Sequence, residues 1–153
     1  MTRTADWPDL AGRLTADGHV LPVRVYFEDT DFSGVVYHAS YLRFLERGRS
    51  DFLRLAGIGH GALDGGGEGE SLAFAVRRME LDFLRPARID DVLEISTRIA
   101  DISGARIVLK QSATLDGAVL VEATVTVALI NRAGRARRLP EEMRRRLVAT
   151  REP

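Results

Sequence analysis

The composition of this 153-residue chain is that of one neutral domain, since 45% of the residues are hydrophobic and 22 basic residues balance 22 acidic ones. A chain without net charge has no overall field to attract nucleic acid or an anionic membrane, and the absence of cysteine excludes disulfides and thiolate catalysis. No apolar run reaches membrane-spanning length and the first residues lack a signal-peptide core, which together predict a soluble, cytoplasmic protein without stable membrane insertion.

The first predicted elements are an arm and a strand. Residues 1–20 mix polar and apolar side chains around an Asp-Gly turn signal, and we expect a loose N-terminal arm. A strand follows from Leu21 to Glu28, where Val23, Val25 and Phe27 alternate with other residues in the period-two pattern of one buried face. The main domain is therefore expected to begin at residue 21 and to end near residue 140, giving a domain of residues 21–140.

A carboxylate-rich loop, EDTDFSG, leads from this strand into a predicted helix that ends near Ala56. Its apolar side carries residues three and four positions apart: Tyr41, Leu45, Gly48, Phe52 and Leu55. Glycine inside a helix costs up to about 1 kcal/mol relative to alanine, so Gly48 indicates a close approach to a sheet. A carboxylate beside a helix N-terminus suits chemistry on a carbonyl, because free N–H groups stabilise an oxyanion.

The second half of the chain reads as β-structure. The glycine-rich stretch 61–70 is interpreted as a flexible surface connection, or as a segment near a substrate entrance, because it lacks the sequence of a phosphate-binding loop. Turn signals then separate four long strands, within residues 73–87, 88–102, 105–116 and 118–132. Pro140 opens a short basic helix that we expect on the surface, so residues 141–153 are predicted as a C-terminal helix and tail.

These elements predict an α+β fold. A helix of about sixteen residues is about 24 Å long and an eight-residue strand spans about 26 Å, so an antiparallel sheet of about five strands can wrap the helix along its length. One sheet face and the sheet edges are left uncovered, and oligomerisation is the expected remedy.

The segment DTDFSGVVYHASYLRFLERGR resembles the signature of the hotdog-fold acyl-CoA thioesterases of the 4-hydroxybenzoyl-CoA thioesterase type, and within them the Tol-Pal-associated (YbgC-like) branch. The family pattern, D-x-D-x-x-G-x-V-Y-H-x-x-Y-x-x-x-x-E-x-x-R, is met by Asp29, Asp31, Gly34, Val36, Tyr37, His38, Tyr41, Glu46 and Arg49. The resemblance covers roughly Leu21 to Leu139. It implies a hotdog fold, in which one sheet wraps a long central helix, and a homodimer joined edge to edge with active sites at the interface, often paired into a homotetramer.

The resemblance assigns the catalytic carboxylate to Asp31, although on spacing alone Asp31 also fits an Asx-turn or helix cap. It further implies that a backbone N–H near Tyr37 or His38 polarises the thioester carbonyl. A separate hypothesis is that the His38 side chain takes part in acid–base chemistry. Gly34 and Val36, which complete the loop, are predicted to contact substrate.

Arg85 and Arg88 are predicted to bind the phosphates of coenzyme A, because guanidinium groups pair well with phosphate oxygens. Coenzyme A is here part of the substrate, and no metal or other cofactor is expected, since no credible metal-ligand cluster occurs in the sequence. Nucleic-acid binding is not expected either, because no basic strip is lined by aromatic residues.

The leading hypothesis is that the protein is an acyl-CoA thioesterase that releases a free acid and coenzyme A. Glu46 is a rival carboxylate, since another hotdog branch places its catalytic acid on the central helix, but its arginine neighbours favour an ion pair or an inter-subunit contact. An alternative is an interaction module that binds acyl-carrier protein or phospholipid-synthesis enzymes. A second alternative is a hotdog hydratase or dehydratase, for which His38 is the local acid–base candidate.

Overall fold

One antiparallel sheet wraps a central helix. The structure, a computed structural model, describes residues 9–59, 63 and 70–151. Its elements are β1 (Arg13–Leu14), β2 (His19–Arg24), α1 (Ser40–Leu55), β3 (Leu72–Phe83), β4 (Val92–Ser103), β5 (Arg106–Leu115), β6 (Ala118–Asn131) and α2 (Glu141–Ala149). The sheet has six strands in the order β1-β2-β4-β5-β6-β3, and every neighbouring pair is antiparallel. The predicted α+β architecture is confirmed, with six strands instead of about five.

Helix α1 lies against the sheet along the predicted apolar side. Its buried residues are Ser40, Tyr41, Phe44, Leu45, Gly48 and Phe52. A Cβ atom on Gly48 would lie 2.8 Å from Cγ2 of Ile95 on β4, which is closer than two carbon atoms normally approach. Gly48 therefore permits the close helix–sheet contact that its position in the helix predicted.

The first long strand ends earlier than its alternation predicted. Strand β2 stops at Arg24, and Phe27–Asp29 form a short 3-10 turn in which the Tyr26 N–H donates to Oδ2 of Asp29 at 2.9 Å. Phe27, expected on the buried face, is 80% exposed. The Asp29 side chain offers the backbone a local hydrogen bond that competes with the sheet ladder, which is why the strand does not reach Glu28.

Part of the predicted N-terminal arm belongs to the sheet. Residues 1–8 lie outside the described part of the chain, but β1 pairs with the first residues of β2, which begins at His19. The His19 side chain is completely buried, with its Nε2 atom 2.7 Å from Oδ2 of Asp51 on α1 and its ring stacked on Phe52. This His–Asp contact fastens the β1–β2 hairpin to the central helix, a role that the sequence did not reveal.

The Asp51 carboxylate makes the stability of this contact depend on pH. Partial burial raises the pKa of this carboxyl, but the hydrogen bonds with Arg54 and His19 together lower it by more. The pKa therefore lies below its usual value of 3.8. A carboxyl whose pKa is lowered in the folded state stabilises the fold above its unfolded-state pKa, and this contribution is lost as the pH falls through the folded-state value.

We expect the Asp51→Asn variant to be less stable than the wild-type protein near neutral pH. The difference in the free energy of unfolding should shrink as the pH falls below about 4, because the wild-type carboxylate then becomes protonated. Urea unfolding at a series of pH values measures this difference. A difference that stays constant down to about pH 3 would exclude Asp51 as its source.

The C-terminal helix α2 packs into the core, so the prediction of a surface helix was wrong. Met143 and Leu147 are buried, together with Leu139 just before the helix. Arg146 also donates a hydrogen bond from Nη1 to the carbonyl oxygen of Gly57 after α1, at 2.7 Å. The signal was present as three apolar residues four positions apart, but the surrounding arginines hid it. Most of the glycine-rich stretch 61–70 lies outside the described residues.

Candidate active site

The loop between β2 and α1 is a tight turn held by its own backbone. The Asp31 N–H donates to the Val35 carbonyl oxygen and the Gly34 N–H donates to the Asp31 carbonyl oxygen, both at 3.0 Å. Gly34 has a φ angle of 84°, in the left-handed region that favours glycine, and a Cβ there would meet nothing within 4 Å. Glycine is therefore needed at this position for its backbone angle rather than for space.

Asp31 fills the structural role considered for it with only one of its two carboxylate oxygens. Its Oδ1 atom accepts hydrogen bonds from the N–H and the hydroxyl of Ser33, which is the geometry of an Asx-turn. These hydrogen bonds hold the pKa of Asp31 below its usual value of 3.8, so the side chain is ionised near neutral pH. Oδ2 forms no hydrogen bond with any described residue. The structural role thus occupies one carboxylate oxygen and leaves the other for chemistry.

The amide groups at the start of α1 are not equally available. The Tyr37 N–H donates to the Asp29 carbonyl oxygen at 2.9 Å, and the same oxygen accepts a hydrogen bond from the Ser40 hydroxyl at 3.0 Å. The His38 N–H donates to none of the residues that the structure describes. Of the two amides considered from the sequence, only that of His38 is therefore free to bind an oxyanion.

Aromatic side chains bring the loop to one end of β3. The His38 ring lies 4.5 Å from the Tyr37 ring and 6.2 Å from the Phe83 ring, and the buried Tyr41 ring is 5.9 Å from that of Phe83, the last residue of β3. Tyr37 and Phe83 are about half-exposed, so this aromatic group is open on one side. Sequence reasoning did not include Phe83 or Ser33 in the site, although a serine two residues after an aspartate is typical of an Asx-turn.

The segment after β3 carries one of the two predicted phosphate ligands, Arg88, to this loop. The Val36 N–H donates to the Ala87 carbonyl oxygen at 2.8 Å, and Val35 forms a β-bridge with Arg88. The side chains of Arg85 and Arg88 are exposed and neither one donates a hydrogen bond to a described residue. Both guanidinium groups are thus free to bind an anion, with Arg88 next to the loop, while the Val36 side chain is buried in the core.

The predicted ion pair of Glu46 is not formed within the described protomer. The Nη2 atom of Arg43 lies 3.8 Å from Oδ1 of Asp29. Arg49 donates a hydrogen bond from Nη1 to Oε1 of Gln111 at 3.0 Å. Glu46 is exposed and acts on Arg49 only through a longer-range charge interaction. Its side chain is therefore available to a ligand or to a second subunit.

Two other functional features are absent from the described part of the chain. It contains no group of three or more acidic or histidine side chains arranged to hold a metal ion. None of its helices is both long enough and apolar enough to cross a bilayer.

Comparison with known proteins identifies the family. A family model of the thioesterase-like superfamily matches residues 25–147, which include the loop, α1 and most of the sheet. The chain belongs to the thioesterase-like superfamily. The similar proteins described next confirm the resemblance to the YbgC-like branch. They also confirm the hotdog fold that this resemblance predicted.

Those relatives align with most of this thioesterase-like chain. The Haemophilus influenzae acyl-CoA thioesterase YbgC is 40% identical over 115 residues, which cover 75% of this chain and 82% of the relative. The Escherichia coli acyl-CoA thioester hydrolase YbgC is 44% identical over 111 residues, covering 72% and 80%. The crystal structure of a probable thioesterase from Bartonella henselae, 54% identical, matches with a TM-score of 0.77 over 80% of this chain and 99% of that one.

Proposed function

We propose that this protein hydrolyses the thioester bond of an acyl-CoA and releases the free acid and coenzyme A. The observation that carries the proposal is the pairing of a carboxylate with a free amide: Asp31, kept ionised by Ser33, and the His38 N–H lie in one short loop at the N-terminus of α1. The activities named for the YbgC relatives agree with this chemistry.

In the proposed reaction, Asp31 acts on the carbonyl carbon by one of two routes. As a nucleophile, its free oxygen adds to the carbonyl, expels the thiolate of coenzyme A and forms a mixed anhydride, which water then hydrolyses. As a general base, it takes a proton from water, the hydroxide adds to the carbonyl, and the proton passes to the departing thiolate. Both routes consume one water and yield a carboxylic acid and a thiol.

The start of α1 would stabilise the charge that develops on the carbonyl oxygen in either route. The His38 N–H is free and the helix dipole places partial positive charge at the same end. The His38 side chain makes no hydrogen bond to a carboxylate of the described residues, and an enoyl-CoA hydration assay tests the hydratase or dehydratase alternative. Neither route requires a metal ion or a redox cofactor.

The remaining parts of the proposal concern the rest of the substrate and the assembly. Arg85 and Arg88 would bind the phosphates of coenzyme A, since neither guanidinium group donates a hydrogen bond to a described residue and Arg88 lies next to the loop. A homodimer would form through β3, because this twelve-residue strand pairs only with β6 among the described residues and exposes its other edge. Pairing into a homotetramer, a cytoplasmic location, a Tol-Pal association and binding of acyl-carrier protein stay predictions.

The test is an assay of coenzyme A release from a panel of acyl-CoA thioesters, from acetyl-CoA to long-chain and aromatic acyl groups. We expect free thiol and free acid to appear in equal amounts for at least one acyl class, and no hydration of an enoyl-CoA. Binding of acyl-carrier protein without release of thiol from any thioester would favour the interaction module instead.

A further inference from the structure

The carboxylate of Asp31 is bound unsymmetrically, because both donors of Ser33 contact the same oxygen atom. The Ser33 N–H donates to Oδ1 at 2.9 Å, and the Ser33 hydroxyl donates to Oδ1 as well. Oδ2 accepts no hydrogen bond from a residue that the structure describes. In the proposed thioesterase reaction the two oxygens therefore have different fates, since Oδ2 is free to react and Oδ1 stays bound to Ser33.

The backbone of the loop fixes Ser33 relative to Asp31. The Asp31 N–H donates to the Val35 carbonyl oxygen and the Gly34 N–H donates to the Asp31 carbonyl oxygen, both at 3.0 Å. Thr30 and Val36 form a β-bridge that closes the turn on its other side. The two donors of Ser33 are thus in place before the reaction begins, and such preorganised donors stabilise a developing charge best.

In the nucleophilic route, the second step offers water two carbonyl carbons. Once Oδ2 of Asp31 has attacked the thioester, it is the bridging oxygen of the mixed anhydride, and Oδ1 is the carbonyl oxygen of the acylated side chain. Attack of water on the acyl carbon places negative charge on the acyl oxygen, whereas attack on Cγ of Asp31 places it on Oδ1. The hydrogen-bond donors around these two oxygens decide which attack is faster.

The described residues supply more donors to Oδ1 than to the acyl oxygen. At the start of α1 the His38 N–H is free to hold the acyl oxygen, because the Tyr37 N–H is already used. Oδ1 has the N–H and the hydroxyl of Ser33, and the N–H lies within the range of about 2.7–3.1 Å that suits an oxyanion donor. Ser33 is exposed and Asp31 is partly exposed, so water reaches Cγ from the solvent side of the loop.

The acidity of Asp31 agrees with a nucleophilic role. The hydrogen bonds from Ser33 hold the pKa of this carboxyl below its usual value of 3.8. A general base works best when its pKa lies near the operating pH, so so acidic a carboxylate is poorly matched to that role. In a mixed anhydride, the carbonyl carbon of the stronger acid is the more electrophilic one, which also directs water to Cγ.

We propose that the N–H and hydroxyl of Ser33 form a second oxyanion site, which stabilises the charge on Oδ1 when water attacks Cγ of the acylated Asp31. The inference rests on the proposed thioesterase function and adds a residue and a step to it. One proton of the water passes to the thiolate of coenzyme A, and the Cγ–Oδ2 bond breaks. The acid leaves as a carboxylate that contains Oδ2, and Asp31 keeps the oxygen of water and releases the remaining proton to solvent.

The first experiment follows the oxygen of water in the wild-type protein. Enzyme in excess over the acyl-CoA that it cleaves fastest completes one turnover in H₂¹⁸O. Trypsin, which cuts after Arg24 and Arg43, then releases the peptide of residues 25–43, and mass-spectrometric fragmentation locates the label among Glu28, Asp29 and Asp31. We expect the heavy oxygen in Asp31 and none in the released acid. Label in the acid and none in Asp31 would overturn the proposal, while the release of coenzyme A would leave the thioesterase function standing.

The second experiment removes one of the two donors with a Ser33→Ala substitution. We expect a rapid burst of one coenzyme A per active site, followed by a steady-state rate about 10²-fold below that of the wild type, because hydrolysis of the acylated Asp31 becomes limiting. The Ser33→Thr protein keeps the hydroxyl and should turn over at nearly the wild-type rate without a burst. If Ser33 only oriented Asp31, its loss would slow the first step, so slow turnover without a burst would overturn the proposal. Unchanged turnover would overturn it as well.

The matched control is Ser103→Ala, which removes a hydroxyl from an exposed position at the end of β4. Its turnover should equal that of the wild type, again without a burst. Thermal unfolding verifies that the Ser33→Ala protein folds, and the isotope experiment decides the question without any substitution. If the wild type releases coenzyme A from no acyl-CoA, the thioesterase function and this inference fall together, whereas an unlabelled Asp31 in an active enzyme overturns the inference alone.

Discussion

The Asp31→Asn substitution is expected to lower the turnover of acyl-CoA by at least about 10²-fold, the low end of the contribution of a general base. An amide oxygen neither takes up the proton nor attacks the carbonyl, so both routes proposed for Asp31 are lost. The loop itself should survive, because the Asn side-chain oxygen accepts the same hydrogen bonds from the N–H and hydroxyl of Ser33. The measurement is steady-state release of coenzyme A by the purified variant.

The matched control for this experiment is Asp101→Asn, which makes the same chemical change at an exposed position of β4. Turnover by this variant should equal that of the wild type. Thermal unfolding of both variants verifies that they fold. Near-normal turnover by a folded Asp31→Asn protein would show that another group, with Glu46 as the first candidate, supplies the carboxylate.

The largest expected effect on stability is that of Leu147→Ala in α2. Leu147 is completely buried, and truncation of a buried leucine to alanine costs about 2–5 kcal/mol through lost transfer free energy and the cavity left behind. Urea unfolding near neutral pH, in the absence of acyl-CoA, gives the free energy of unfolding for the variant and the wild type. A loss in this range would establish that α2 is part of the core and not a surface appendage.

Arg144→Ala is the control, since it lies in the same helix and its side chain makes no hydrogen bond or ion pair with a described residue. Substitutions of this kind usually change stability by no more than about 0.5 kcal/mol. If Leu147→Ala were as mild as Arg144→Ala, the packing of α2 against the sheet would be refuted.

The predictable part of the fold is the part with strong periodicity. Helix α1 and the four long strands were identified because their apolar faces repeat at 3.6 and 2 residues over ten or more positions. The alternation predicted the end of the first long strand incorrectly. The Asp29 side chain accepts a hydrogen bond from the Tyr26 N–H, and the backbone around Phe27 forms a turn instead of a strand. In α2 the apolar stripe of Met143 and Leu147 was too short to stand out among arginines.

The candidate site was predictable as a segment but not as a set of contacts. The motif located Asp31 and the start of α1, because those residues are adjacent in the chain. It could not indicate that the Tyr37 N–H donates its hydrogen bond to the Asp29 carbonyl oxygen. Nor could it indicate that Arg49 donates a hydrogen bond to Gln111, 62 residues away. Such partners are chosen by tertiary packing, which brings distant parts of the chain together without leaving a local pattern.

The order of the strands has a consequence for the way in which the chain is made. Strands β4, β5 and β6 follow one another through tight turns, but β3 pairs with β6 over registers such as Leu72 with Asn131. A ribosome completes α1 at Leu55 and must add the chain up to Leu115 before β4 and β5, which contact this helix, both exist. During that interval only the β1–β2 hairpin is available to cover the apolar face of the nascent helix, which makes this stage of synthesis prone to aggregation.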